Sequence, residues 1–282
     1  HRDKVVTNAW GDPIIHSLCA SHHEVDEVVR NIVGDVVRLG AFDRILLESI
    51  EYLPLQHGYH HEVIGVNVEP HVAFATSLCF CAACDARARR ADVDVDGLRR
   101  WLQREVHATL NEGDGAIPAT LTEFRDVQDG AMGSYLDLRA KGLTDLLAHA
   151  RDAVAEPAPR LAILDFGPLY PLGQHDGVWQ SGVDLAGQGA IVDEVHPTFY
   201  FDDVDVLKAK VGAYRDAVRH AGDVEVIPAL RAIVPQVDGP EALQRQVQEV
   251  RGLGSGVSFY NYSFMHLDTL DWIRASLQDA EP

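Results

Sequence analysis

The sequence has little cysteine and no long apolar run, and its basic residues are far outnumbered. Four cysteines in 282 residues do not make a disulfide framework, which in a chain this long would spread its pairs. Here three of the four, Cys79, Cys81 and Cys84, fall within six residues. No stretch approaches the ~20 apolar residues that a membrane helix needs. No signal-peptide pattern opens the chain, so a cytoplasmic location is the expectation. The 24 Lys and Arg stand against 43 Asp and Glu, a formal net charge of −19. A surface that acidic repels phosphate backbones and anionic lipid, which argues against nucleic-acid and membrane partners. There is no Gly-x-Gly-x-x-Gly, no phosphate-loop lysine motif and no low-complexity segment.

What is present is βα alternation. Residues 21–38 place Val25, Val28, Val29, Ile32, Val33, Val36 and Val37 at helical spacing, and Ser21 with Glu24 reads as a capping box. The apolar run Ile45-Leu46-Leu47, ending in Glu48, reads as a strand buried on both faces. Further strands are expected over 160–166, 194–201, 224–233 and 256–262, separated by helical patterns that include Leu136 to Val154 and Ala242 to Val250. Strands alternating with helices imply a parallel sheet, and the length suits one barrel of about 250 residues. The expected fold is therefore α/β, a single TIM (β/α)8-type barrel domain over 1–282. Five strands are recognisable and the first strands are absent. Val5 to Trp10 would be the tail of an earlier strand.

Each expected strand carries a polar or ionisable residue near its end: Glu48, Asp165, His196, Arg231, and Asn261 between Tyr260 and Tyr262. In a parallel barrel those ends share one face, where active sites are built. Neighbouring strands lie about 4.8 Å apart. Glu48 and Asp165 could thus stand ~5–6 Å apart, the separation used by retaining glycosidases. The alternative for each is a salt bridge, with Arg231 a candidate partner. Glu51, three residues past Glu48, is the competing carboxylate. Tyr52, Tyr59, Tyr170, Trp179, Tyr200, Tyr260 and Tyr262 fall in strand ends or the loops after them and suit stacking on a sugar face. The loop holding His57, His60, His61 and Glu62 fits either a polar sugar site or a metal-dependent hydrolase. Its spacing matches no helical metal motif.

Residues 17–52 resemble glycosyl-hydrolase-like barrel families, whose strand has the form Gly-Ile-x-Leu-Asp-Tyr-Ile-Arg-Tyr. Here it reads Arg44-Ile45-Leu46-Leu47-Glu48-Ser49-Ile50-Glu51-Tyr52. The resemblance implies that Glu48 occupies the position of the family's catalytic aspartate. It also matches Tyr52 and numbers the visible strands fourth to eighth. Glu51 departs from the family's arginine. Cys79-Phe80-Cys81-Ala82-Ala83-Cys84 is similar to the Cys-x-Cys-x-x-Cys of family 42 β-galactosidases, in which an upstream cysteine completes a zinc site. That similarity implies a structural zinc on Cys19, Cys79, Cys81 and Cys84. Four thiolates close a tetrahedral site and leave no open position for catalysis. Buried free thiols or a disulfide are the alternative.

The expectation for function is a glycoside hydrolase acting on a small-molecule or oligosaccharide substrate. Glu48 and Asp165 would be the catalytic pair. Tyr52, His57, His60, His61, His196, Arg231, Tyr260, Asn261 and Tyr262 would hold substrate, and no cofactor would take part in the chemistry. The other expectations are a carbohydrate-binding protein without turnover and a metal-dependent hydrolase using residues 57–61. A second chain or an upstream segment would complete the barrel.

Overall fold

A computed structural model describes residues 3–40, 42–53, 55, 68–154, 159–170 and 178–278. Its centre is a parallel sheet of β3 (Arg44–Leu47), β4 (Arg160–Asp165), β5 (Glu194–Phe199), β6 (Glu225–Val226), β7 (Ala229–Arg231) and β8 (Ser258–Tyr260). The order is β3-β4-β5-β7-β8, with β6 pairing the first half of β5. β6 and β7 run along one expected strand, interrupted at Pro228, which has no N–H to give a ladder. Leu47 pairs with Ile163, Asp165 with Pro197, Phe199 with Leu230 and Arg231 with Tyr260.

This corrects the expected TIM (β/α)8-type barrel. The sheet curls into a half-barrel, a path of five strands, and among the described residues its edges β3 and β8 do not pair with each other. Being an edge, β3 is not buried on both faces: Leu46 is 42% exposed. Val5 to Trp10 does not extend the parallel sheet either. β1 (Val5–Thr7) pairs antiparallel with β2 (Pro13–Leu18) in a separate hairpin. Its turn is set by Asn8, whose Oδ1 accepts from the N–H groups of Trp10 and Asp12, and by Gly11 at φ 91°.

The helices are α1 (His23–Leu39), α2 (Pro70–Ser77), α3 (Ala82–Arg90), α4 (Val95–Asn111), α5 (Leu121–Asp126), α6 (Ala131–Asp152), α7 (Leu185–Gln188), α8 (Val204–Val218), α9 (Pro240–Val250) and α10 (Leu267–Gln278). Among the described residues none is long and apolar enough to cross a membrane. The Ser21–Glu24 capping box does not form. Helix α1 starts at His23 without a side-chain cap, because the Ser21 hydroxyl accepts from the Cys84 thiol and Glu24 pairs with Lys4 at 2.7 Å. At α5 a side-chain cap does form: the Thr120 hydroxyl accepts from the Glu123 N–H and donates to the Glu123 carboxylate.

Two cores meet on α6. Its carboxyl half gives Leu143, Leu146, Leu147 and Ala150 to the layer between sheet and helices, with Leu161, Ile163, Val195, Phe199 and Leu230. Its amino half gives Met132, Tyr135 and Leu136 to a second core built by the β1–β2 hairpin and α2 to α5. All of α2 to α5 lies between β3 and β4 in the chain, so the second core is an insertion laid against the half-barrel by one shared helix.

Side chains in a strand alternate between faces. On β4, Leu161 and Ile163 point to the helices, while Leu164 and Phe166 join Leu53 and Ala229 in a small cluster on the concave side. The concave side also holds an ion network near the amino ends of the strands. The Glu194 carboxylate is enclosed by Arg44 at 2.5 Å, Arg160 at 2.9 Å and His196 at 2.9 Å, and Arg160 reaches Glu225 at 2.5 Å.

Candidate functional site

The four cysteines come together. Cys19 follows β2 and is tied to the chain start by its N–H on the Lys4 carbonyl at 2.9 Å. Cys79 and Cys81 lie on the turn between α2 and α3, held by the Phe80 N–H on the Thr7 carbonyl and by the Tyr135 hydroxyl on the Cys79 carbonyl. Cys84 is in the first turn of α3. All four are buried and free of disulfide bonds. Their sulfurs lie within 4.8 Å of one another, with Cys19 to Cys84 at 3.5 Å and Cys79 to Cys19 at 3.7 Å. Tetrahedral zinc at ~2.3 Å from each sulfur would set them about 3.8 Å apart, so the arrangement can hold a metal ion such as zinc. The donor set agrees. Sharing of thiol hydrogens with Cys19, Cys79 and Cys84 pulls the Cys81 thiol far down, whereas the bond shared with Cys19 pushes Cys79 up. A cation is needed before all four ionise together.

The residues expected at the carboxyl ends of the strands divide into three groups. Glu48, Arg231 and Tyr260 gather around Tyr200, whose hydroxyl is pushed well above the usual phenol value by burial first and then by the charges of Tyr260 and Glu48, with Arg231 opposing. The Tyr200 and Tyr260 rings stack at 5.5 Å and 22°. Glu48 is exposed, and the Arg231 Nε is buried without a partner. Tyr260 is 41% exposed and Tyr262 more so; Asn261 spends its side-chain oxygen on the Ser263 N–H.

Asp165 is not in that group. It is 0% exposed, and its oxygens accept from the Gly167 N–H at 2.7 Å and the Tyr214 hydroxyl of α8 at 2.8 Å. It continues the face of Leu161 and Ile163, and so points to the helices. Burial raises its carboxyl to about 6 against these two donors. The carboxyl group coupled to it is Glu51, which is 3% exposed and accepts from the Phe166 N–H at 2.6 Å. Burial, then the Asp165 charge, raise Glu51 to about 8.

Two further residues sit elsewhere. His196 belongs to the Glu194 ion network; burial lowers its imidazole below the usual value although Glu194 pulls the other way. Burial would raise Glu194 too, but its bonds to Arg44 and His196 and the Arg160 charge hold it below the usual range. Tyr52 is buried in the second core beneath the Arg139 guanidinium, beside the cysteines. His57, Tyr59, His60 and His61 lie outside the described residues. Tyr200, expected among the strand-end aromatics, lies two residues beyond Thr198 on the concave face, and Glu51, the competing carboxylate, is the one whose charge interacts with Asp165. Sequence reasoning missed Arg139.

Fold and site together define an α/β half-barrel with an inserted four-cysteine centre. No family model, no curated protein and no solved structure matches the chain.

Proposed function

We propose that the chain is a carbohydrate-acting protein that takes a sugar ring at the carboxyl-end mouth of its half-barrel, and that its cysteines hold a structural zinc. The observation that carries the first part is the stacked pair Tyr200 and Tyr260 with Glu48 and Arg231 around it. Aromatic planes meet the C–H faces of a sugar, while a carboxylate and a guanidinium whose Nε has no partner bond its hydroxyls. Sugar binding asks no more than this. Titration of neutral mono- and oligosaccharides against the protein, with Tyr260→Ala and Arg231→Met as comparisons, tests it. Loss of binding in both variants supports the reading, and equal binding in all three ends it.

Glycoside hydrolysis is the second reading, supported by a carboxyl raised to about 6 at Asp165 and an exposed Glu48, which end neighbouring strands but face different sides of the sheet. Hydrolysis through that pair needs both carboxyl groups on one pocket, and both Asp165 oxygens are bonded inside the protein. On these residues binding therefore leads. Turnover of aryl glycosides that disappears in Glu48→Gln would restore the hydrolase reading. The zinc is assigned to a structural role because four thiolates leave it no open position.

A further inference from the structure

Arg139 is a buried cation with no acid of its own. It projects from the middle of α6 and is 6% exposed. Among the described residues it forms no ion pair. One Nη donates to the Gln180 carbonyl at 2.8 Å, and the Nε has no partner. Its guanidinium lies 4.1 Å over the Tyr52 ring and 5.6 Å from that of Phe74. The Tyr170 hydroxyl also adjoins it. A carbonyl, a phenol and two ring faces do not neutralise a buried charge, which is costly unless paired. Asp137 and Asp184 line a neighbouring cavity with Arg139, but no acid among the described residues comes within ion-pair distance of it.

The cysteine centre has the opposite deficit. Four thiolates around a divalent cation leave a net charge of about −2 in a buried place. The two deficits adjoin. Cys79, Cys84, Tyr135 and Arg139 line one small cavity of about 10 Å³, together with Ser21 and Arg87. Arg87 donates to the Leu138 carbonyl at 3.3 Å, and its nearest acid, Asp145, is at 3.7 Å. Tyr52 lies in the same core as all four cysteines and stacks on Arg139.

We infer that Arg139 is the counter-charge of the metal–thiolate centre, a positioning residue for the metal, with Arg87 contributing beside it. The inference rests on the zinc reading above. It explains why an arginine can stay buried without a carboxylate: its anion is the tetrathiolate. It also gives the metal-free protein a particular weakness. With the thiols protonated, Arg139 is left as an uncompensated charge, so metal binding and Arg139 stabilise each other.

The test compares the metal-loaded and metal-free protein in wild type and in Arg139→Met, which keeps an unbranched apolar side chain and removes the charge. Zinc affinity is read by competition with a chromophoric chelator, and the site itself by the thiolate-to-cobalt absorption of the Co²⁺-loaded protein. The expected result is a fall in zinc affinity of about 10- to 100-fold in Arg139→Met, the range for groups just outside a metal's own ligands. Arg139→Lys should keep affinity within a few fold. The metal-free variant should melt at or above the metal-free wild type. A purely structural arginine would lower both forms equally and leave affinity alone, and that result overturns the inference. Arg125→Gln, which breaks the bidentate pair that Arg125 of α5 makes with Asp137 of α6, should leave affinity unchanged. If Arg139→Met does not fold, Arg87→Met carries the test: weaker zinc binding supports the inference and unchanged binding refutes it. Wild type that binds neither zinc nor cobalt would defeat the zinc reading itself, whatever the variants do.

Discussion

Replacing Glu51 by glutamine should stabilise the protein at alkaline pH and flatten its pH dependence. The Glu51 carboxyl is buried; one oxygen accepts from the Phe166 N–H and the other has no partner. Its pKa is raised from 4.5 to about 8, by burial first and by Asp165 second. Between those values the folded chain keeps a proton that the unfolded chain has released. Stability from this group is therefore full below 4.5 and is lost as the pH rises through about 8. At about 1.4 kcal/mol per pH unit, the span corresponds to on the order of 5 kcal/mol. Local relaxation and water entry reduce that, so a loss of a few kcal/mol is expected. Asp165, raised from 3.8 to about 6, acts in the same direction over a lower window and remains in the variant. Glutamine keeps the shape and the acceptor for Phe166 but never ionises. Urea unfolding at a series of pH values measures the effect: wild type should lose stability steeply between about pH 6 and pH 8, and Glu51→Gln should not. Equal slopes over that range would mean that Glu51 is not a buried neutral acid, and the reasoning fails.

Three other outcomes are expected. Leu143→Ala, at the junction of the two cores on α6, should destabilise by about 2–5 kcal/mol in thermal or urea unfolding. Thr120→Ala removes the cap of α5 and should cost about 1 kcal/mol by the same assay. Tyr260→Ala should weaken saccharide binding about 3- to 10-fold without a change in melting temperature, since the ring is 41% exposed.

The strands were legible because they are short apolar runs, and Leu161 to Leu164 and Val195 to Phe199 fall where the runs place them. The resemblance supplied an eight-strand barrel short of its first strands; among the described residues the sheet is instead a half-barrel whose edges β3 and β8 do not pair with each other. The N-terminal hairpin carries its own signal: Asn8, Gly11 and Pro13 are turn chemistry between two apolar runs. Helix α2 left none, since most of its residues are buried and it has no polar face to set a period. At the site, the cysteine spacing carried its own information. The direction of Asp165 was readable too, because alternation from Leu161 and Ile163 turns it toward the helices and Tyr214. The placement of Tyr52 beside the cysteines was not, as it depends on an insertion whose packing no local pattern encodes.

On the proposed reading, Cys19, Cys79, Cys81 and Cys84 act together as one metal centre. The most direct measurement is the metal content of the purified protein, set beside the thiolate-to-cobalt absorption of the Co²⁺-loaded form, in wild type and in Cys81→Ser. One zinc ion per chain, with a cobalt spectrum of tetrahedral tetrathiolate type that changes in Cys81→Ser, is the predicted result. Protein that binds no metal, and whose four thiols all react freely with a thiol reagent before unfolding, would contradict it.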